Sequence, residues 1–132
     1  MAENPRSRSR KKVLLVDDEP SFTRMLRMNL EATGAYEVKE ENNSARAMAT
    51  ALAFKPDVVL LDLIMPEVDG GTIASQIRSS REIGGAQIIF LTAVVGQREA
   101  NGSLATLCAI PCISKPVATP ELIACIEKGA SE

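Results

Sequence analysis

Five side chains in this sequence bear groups that could share one reaction: the carboxylates of Asp17, Asp18 and Asp62, the hydroxyl of Thr92 and the ammonium of Lys115. Each stands at or just past the end of a short apolar run (residues 13–16, 58–61, 88–91 and 110–114). Taken singly, each has an ordinary use, since Asp commonly caps turns and helices and lysine is commonly a surface residue. Their placement at successive run ends is what points to a single site. Three carboxylates gathered together repel one another unless a cation lies among them. Mg2+ suits such an all-oxygen site, taking one or two carboxylates, several waters and a phosphate, and Mn2+ accepts the same ligands. A carboxylate can also act as the nucleophile toward a phosphoryl group, giving an aspartyl phosphate. That transfer needs mainly positioning and charge neutralisation, which a metal and a lysine supply. It needs no general base, because a carboxylate is already ionised near neutral pH.

Histidine is absent from the chain. This excludes Ser-His-Asp and Cys-His nucleophile pairs, an imidazole base and a zinc site with His ligands. In any phosphorelay chemistry the chain must be the acceptor, since it has no imidazole to phosphorylate. Cys108, Cys112 and Cys125 are odd in number and form no CxxC pair. They read as small buried hydrophobes of a reducing compartment.

These residues must be positioned by elements, and apolar runs alternate with helical periodicity along the chain. The run at 13–16 reads as a first strand, followed by a helix over about 20–33 with Phe22, Met25, Leu26 and Leu30 on one face. Gly34 is placed as its C-cap. A weak second strand at 36–40 precedes an Ala- and Met-rich helix at 44–54, with Asn43 available as cap. Residues 58–61 form the strongest buried strand. A helix from Thr72 to about Ser79, an apolar strand at 88–91, a short strand at 110–114 and a closing helix at 120–128 complete the series, with Thr119 as N-cap and Pro120 at the first helical position. Five strands alternating with helices imply an α/β fold, doubly wound around a five-stranded parallel sheet. Pro111 inside the fifth strand argues that this strand is a sheet edge. Between Val94 and Leu107 a fourth helix is expected to be short or mobile, because Gly96, Asn101 and Gly102 interrupt it.

At 132 residues the chain fits one domain, assigned to 12–129. Residues 1–11 read as a disordered leader and 130–132 as a tail or linker stub; in the first dozen residues Arg6, Arg8, Arg10, Lys11 and Lys12 stand against Glu3 alone. The net charge of −2 therefore conceals a clearly acidic remainder. No aromatic residues interleave the basic ones, so direct nucleic-acid binding is not expected. No apolar run reaches the roughly 18 residues of a membrane span, and the basic start lacks the apolar core of a signal peptide. The expectation is a soluble, cytoplasmic protein without membrane contact.

The residues Asp17-Asp18-Glu19-Pro20, Asp62-Leu63-Ile64-Met65-Pro66-Glu67-Val68-Asp69-Gly70, Thr92-Ala93 and Lys115-Pro116 resemble, in type and spacing, the receiver domains of response regulators in bacterial two-component systems. The resemblance covers about residues 12 to 129. It implies the flavodoxin-like sheet of order 2-1-3-4-5 with five flanking helices. It implies Asp62 as phosphoacceptor and Asp17, Asp18 and Asp62 as metal-binding acids, with the Ile64 backbone carbonyl as a further ligand. Thr92 would hydrogen-bond the phosphoryl group, Lys115 would neutralise it, and the peptide bond before Pro116 would be cis.

The resemblance further implies a phosphoprotein switch rather than an enzyme acting on a separate substrate: it would catalyse only its own phosphorylation and dephosphorylation. The phosphoryl group would come from a histidine kinase or a histidine phosphotransfer protein. The response would pass to a downstream protein or an output domain, from a monomer or a weak phosphorylation-dependent dimer. The family usually carries Tyr or Phe three residues before the lysine, whereas Cys112 stands there in this chain. An atypical output face is therefore expected. The alternative is a receiver-like scaffold that binds proteins without switching. A phosphatase of the haloacid dehalogenase type would need a second acid where Ile64 stands, and flavin or nucleotide binding would need a Gly-rich loop that follows none of the strands.

Overall fold

The computed structural model describes residues 10–93, 105–107 and 110–130. Strands and helices alternate: β1 (Lys11–Val16), α1 (Pro20–Glu31), β2 (Tyr36–Glu41), a 3-10 turn (Ser44–Arg46), α2 (Ala47–Phe54), β3 (Val58–Asp62), α3 (Gly70–Arg78), β4 (Gln87–Thr92), β5 (Ala105–Leu107), β6 (Ile110–Ser114) and α4 (Thr119–Ala130). The sheet runs β2-β1-β3-β4-β6-β5. Its five parallel strands, β2, β1, β3, β4 and β6, keep the order 2-1-3-4-5.

The buried residues explain why three of the strands carry uninterrupted apolar runs, at 13–16, 58–61 and 88–91. Along β1, Val13 and Leu15 face one side with Leu26 and Leu30 of α1 and Leu122 and Ile126 of α4. Leu14 and Val16 face the other side with Ala47 and Ala51 of α2 and Ile73 and Ile77 of α3. Strands β3 and β4 divide in the same way, as a parallel sheet covered on both faces requires. Strand β2 alternates between buried and exposed over its first four residues, which is why its sequence signal is weaker.

Two expectations need correction. The strand bearing Pro111 is not the sheet edge: β5 pairs antiparallel with it, placing Thr106 opposite Pro111. Four α-helices, not five, lie among the described residues. Of the segment 94–107, where the sequence predicts a short fourth helix, residues 94–104 lie outside the described residues and 105–107 form β5.

Local chemistry sets the element ends. Asn43 accepts a hydrogen bond from Ala45 N at 2.9 Å, and Asp69 accepts one from Thr72 N at 2.8 Å. The Asp69 cap starts α3 at Gly70, two residues before the expected Thr72. Gly34 takes φ 82° after α1, where a side chain would be strained. Gly70 is required for a different reason: a Cβ there would lie 2.4 Å from the Asp62 carbonyl oxygen. This glycine lets the loop after β3 fold back onto the strand end that carries Asp62.

Candidate functional site

The parallel register brings the strand ends together. Val16 of β1 pairs with Leu61 of β3, so the next residues, Asp17 and Asp62, emerge side by side. Asp62 pairs in turn with Leu91 of β4, and Thr92 with Ser114 of β6, which places Thr92 and Lys115 along the same rim. This rim is the carboxyl end of the parallel strands, where open α/β sheets bind ligands.

One carboxylate oxygen from each of Asp17, Asp18 and Asp62 lies within 4.8 Å of the other two. Asp17 and Asp62 are buried at 1% and 6% exposure, whereas Asp18 is exposed. The Lys115 ammonium reaches across them, 2.6 Å from Asp17 Oδ2 and 3.7 Å from Asp62 Oδ2, with Glu19 Oε1 at 3.9 Å. Its Nζ also sits 4.5 Å from the centre of the Phe22 ring, a favourable cation–π separation. Asp17 Oδ1 accepts the Glu19 N–H at 3.0 Å, and Asp62 Oδ1 accepts the Ile64 N–H at 3.4 Å. Thr92 is buried at 3%.

The charges are frustrated. Burial and then the neighbouring Asp17 push the Asp62 carboxyl up to about 6, against the pull of Lys115 and the Ile64 N–H. Burial alone would lower the Lys115 ammonium, but Asp17, followed by Asp62 and Glu19, raises it above its ordinary value. With the acids ionised, three carboxylates face one ammonium and leave two negative charges uncompensated. A divalent cation would cancel them. The donors are all hard oxygens, and exposed Asp18 leaves room for water, so the residues fit Mg2+.

Of the residues singled out in the sequence, Asp17, Asp18, Asp62, Thr92 and Lys115 share this rim. Ile64 lies two residues beyond Asp62, its side chain 57% exposed. The Lys115–Pro116 peptide bond is cis. Cys112 is not part of the acidic cluster: it lies two residues inside β6, opposite Phe90, with Sγ 3.8 Å from the Ile110 carbonyl oxygen. Burial raises its thiol above the ordinary range. Sequence reasoning gave no role at the site to Phe22 beneath the ammonium or to Glu19 beside it, and missed Asn42, whose amide donates to the Asp17 carbonyl oxygen at 2.8 Å. Phe22 showed only as a helix-face apolar residue, and nothing in the spacing marked Asn42, whose partner is 25 residues away.

A family model described as the response regulator receiver domain matches residues 13–127. The transcriptional regulatory protein TrcR of Mycobacterium tuberculosis is 34% identical over 113 residues, which cover 86% of this chain and 42% of that protein. ResD of Bacillus subtilis, another transcriptional regulatory protein, is 43% identical over 82 residues, covering 62% of this chain and 32% of that protein. The chain thus spans less than half the length of these relatives. Among solved structures, the response regulator TrrA from Thermotoga maritima, in complex with Mg(2+)-BeF, superposes with a TM-score of 0.73 at 31% identity, covering 89% of this chain and 97% of that one. The signal receiver domain of a DNA-binding response regulator from Colwellia psychrerythraea gives a TM-score of 0.73 at 27% identity, covering 92% and 99%.

Proposed function

The chain belongs to the response regulator receiver domain family, and from that premise we propose that it is a phosphoacceptor switch that takes a phosphoryl group onto Asp62. The observation that carries this reading is the position of Asp62: buried at the end of β3, beside two further acids and 3.7 Å from the Lys115 ammonium.

The donor is a phosphohistidine on a histidine kinase or a phosphotransfer protein. An Asp62 carboxylate oxygen forms the new P–O bond as the P–N bond to the donor imidazole breaks, and the imidazole nitrogen leaves with the bonding electron pair and is then protonated. Asp17, Asp18 and Asp62, with the Ile64 carbonyl, would hold Mg2+. When bound, the ion supplies charge neutralisation at the phosphoryl oxygens. Lys115 shares that task as a fixed positive charge, and Thr92 donates its hydroxyl to the transferred group. Phe22 and Asp17 hold the ammonium in place between the acids. Fluorine NMR with beryllofluoride tests the assignment: a bound resonance that requires Mg2+ and disappears in Asp62→Asn supports it. A resonance that persists in that variant refutes it.

Output is proposed to be atypical. Cys112 stands where the family's inward-turning ring would be, so movement of Thr92 has no ring at that position to displace. Phosphomimic binding should leave the amide shifts across residues 93–114 small. Ordinary large shifts there would contradict the proposal. Ile64 and residue 94 stand at the family positions that flank the phosphoryl group and influence its hydrolysis; Ile64 is apolar, and residue 94 lies outside the described residues.

A further inference from the structure

The turn between β2 and α2 carries polar side chains to which the phosphoacceptor reading gives no role. Asn42 Nδ2 donates to the Asp17 carbonyl oxygen at 2.8 Å and to Thr23 Oγ1 at 3.0 Å. Two residues later the Ser44 hydroxyl, buried at 6%, accepts the Val68 N–H at 3.0 Å. Between them Asn43 is held at both ends, its N–H donating to Glu41 Oε2 at 3.0 Å and its side chain accepting from Ala45 N at 2.9 Å.

The two outer bonds end on different arms of the acidic site. Asp17 opens the loop that bears Asp17 and Asp18, and Val68 belongs to the loop that leaves Asp62. Neither loop has regular structure of its own, so a few such bonds decide where its backbone lies. The bonds span 25 and 24 residues of sequence, yet both originate within one three-residue turn. The end of β2 just before that turn is tied to the same loop, since Asp17 N donates to the Glu41 carbonyl oxygen at 3.2 Å.

Resting on the reading of the cluster as a Mg2+-assisted phosphoacceptor, we infer that Asn42 and Ser44 are positioning residues that set the spacing between the two acid-bearing loops, and with it the affinity for the divalent cation. The reason lies in what Mg2+ demands. It needs near-ideal octahedral geometry at about 2.0–2.1 Å, so small displacements of a carboxylate are expensive. Removing groups that orient ligands from outside the coordination sphere commonly weakens metal binding by about 10- to 100-fold.

The test is Mg2+ titration by calorimetry of the full chain as parent, Asn42→Ala, Ser44→Ala and Thr50→Ala. Thr50 serves as the control because its hydroxyl bonds the Glu41 carboxylate beside the same turn while touching neither acid-bearing loop. Urea unfolding of each variant gives its stability, and amide exchange at Val68 reports the Ser44 bond directly. The expected result is a Mg2+ Kd raised about tenfold in Asn42→Ala and in Ser44→Ala, a parent-like Kd in Thr50→Ala and faster Val68 exchange in Ser44→Ala alone. Should either alanine variant fail to fold, the other carries the test. Parent-like Mg2+ affinity in the folded variants, whatever their loss of stability, overturns the inference. A parent that binds no Mg2+ overturns the reading of the site itself and this inference with it.

Discussion

Asp62 is a carboxyl whose neighbours disagree about its charge. Burial and Asp17 favour the proton, Lys115 opposes it, and the balance raises the group from 3.8 to about 6 in the metal-free protein. A carboxyl raised on folding binds more protons folded than unfolded between those two values, so the folded state loses stability as pH rises through that window. The stabilisation is complete below about pH 4 and gone above about pH 6, a difference on the order of 3 kcal/mol for a shift of this size. Asp62→Asn removes the titrating group. Metal-free Asp62→Asn should therefore outlast the parent in urea at pH 7.5 and lose that advantage at pH 4. Saturating Mg2+ should close the gap at pH 7.5 by stabilising the parent. An unchanged midpoint at both pH values would show that the crowding of the acids costs nothing. Ile64 supports a second prediction at this scale. Its exposed side chain is apolar and cannot orient an attacking water, so phosphorylated protein should lose its phosphate slowly. Loss within seconds, without a phosphatase, would contradict this.

The elements present these residues through their ends, and two of those ends make strong demands. Gly70 admits no side chain, since a Cβ would sit 2.4 Å from the Asp62 carbonyl oxygen. Gly70→Ala should cost about 2 kcal/mol or more in stability, the range of a steric conflict in a packed site, and should displace the end of β3 and weaken Mg2+ binding. Parent-like stability in urea would contradict this. Lys55, which ends α2, is the opposite case: it takes φ 56° without being glycine. Left-handed backbone costs an ordinary residue about 1 kcal/mol, and the Lys55–Glu82 ion pair is too exposed to offset it. Lys55→Gly should therefore raise stability by about 0.5–1 kcal/mol, measured as a higher urea midpoint at unchanged slope. Strands β1, β3 and β4 were readable in the sequence because burial on both faces gives each an uninterrupted run of four apolar residues. Strand β5 was not, because three residues pairing with β6 alone leave no periodic signal. The start of α3 was misplaced because Gly70 and Gly71 look like loop until Asp69 is recognised as the cap.

On the scale of the whole molecule, the parallel sheet is the device that makes a site from distant residues. The order 2-1-3-4-5 places β1 and β3 next to each other, so Asp17 and Asp62 become neighbours although 45 positions separate them. The acids, Thr92 and Lys115 could be found in the sequence because each follows an apolar run, and strand ends on one rim converge by construction. Asn42, Ser44 and Phe22 could not, because their partners come from other loops and only the folded chain reveals them. The most direct test of the central claim is intact-protein mass spectrometry after incubation with Mg2+ and acetyl phosphate, beside Asp62→Asn. The account predicts one added phosphoryl group, about 80 Da on a single carboxylate, in the parent only and only with Mg2+. An adduct of the same mass in Asp62→Asn, or none in the parent, would contradict it.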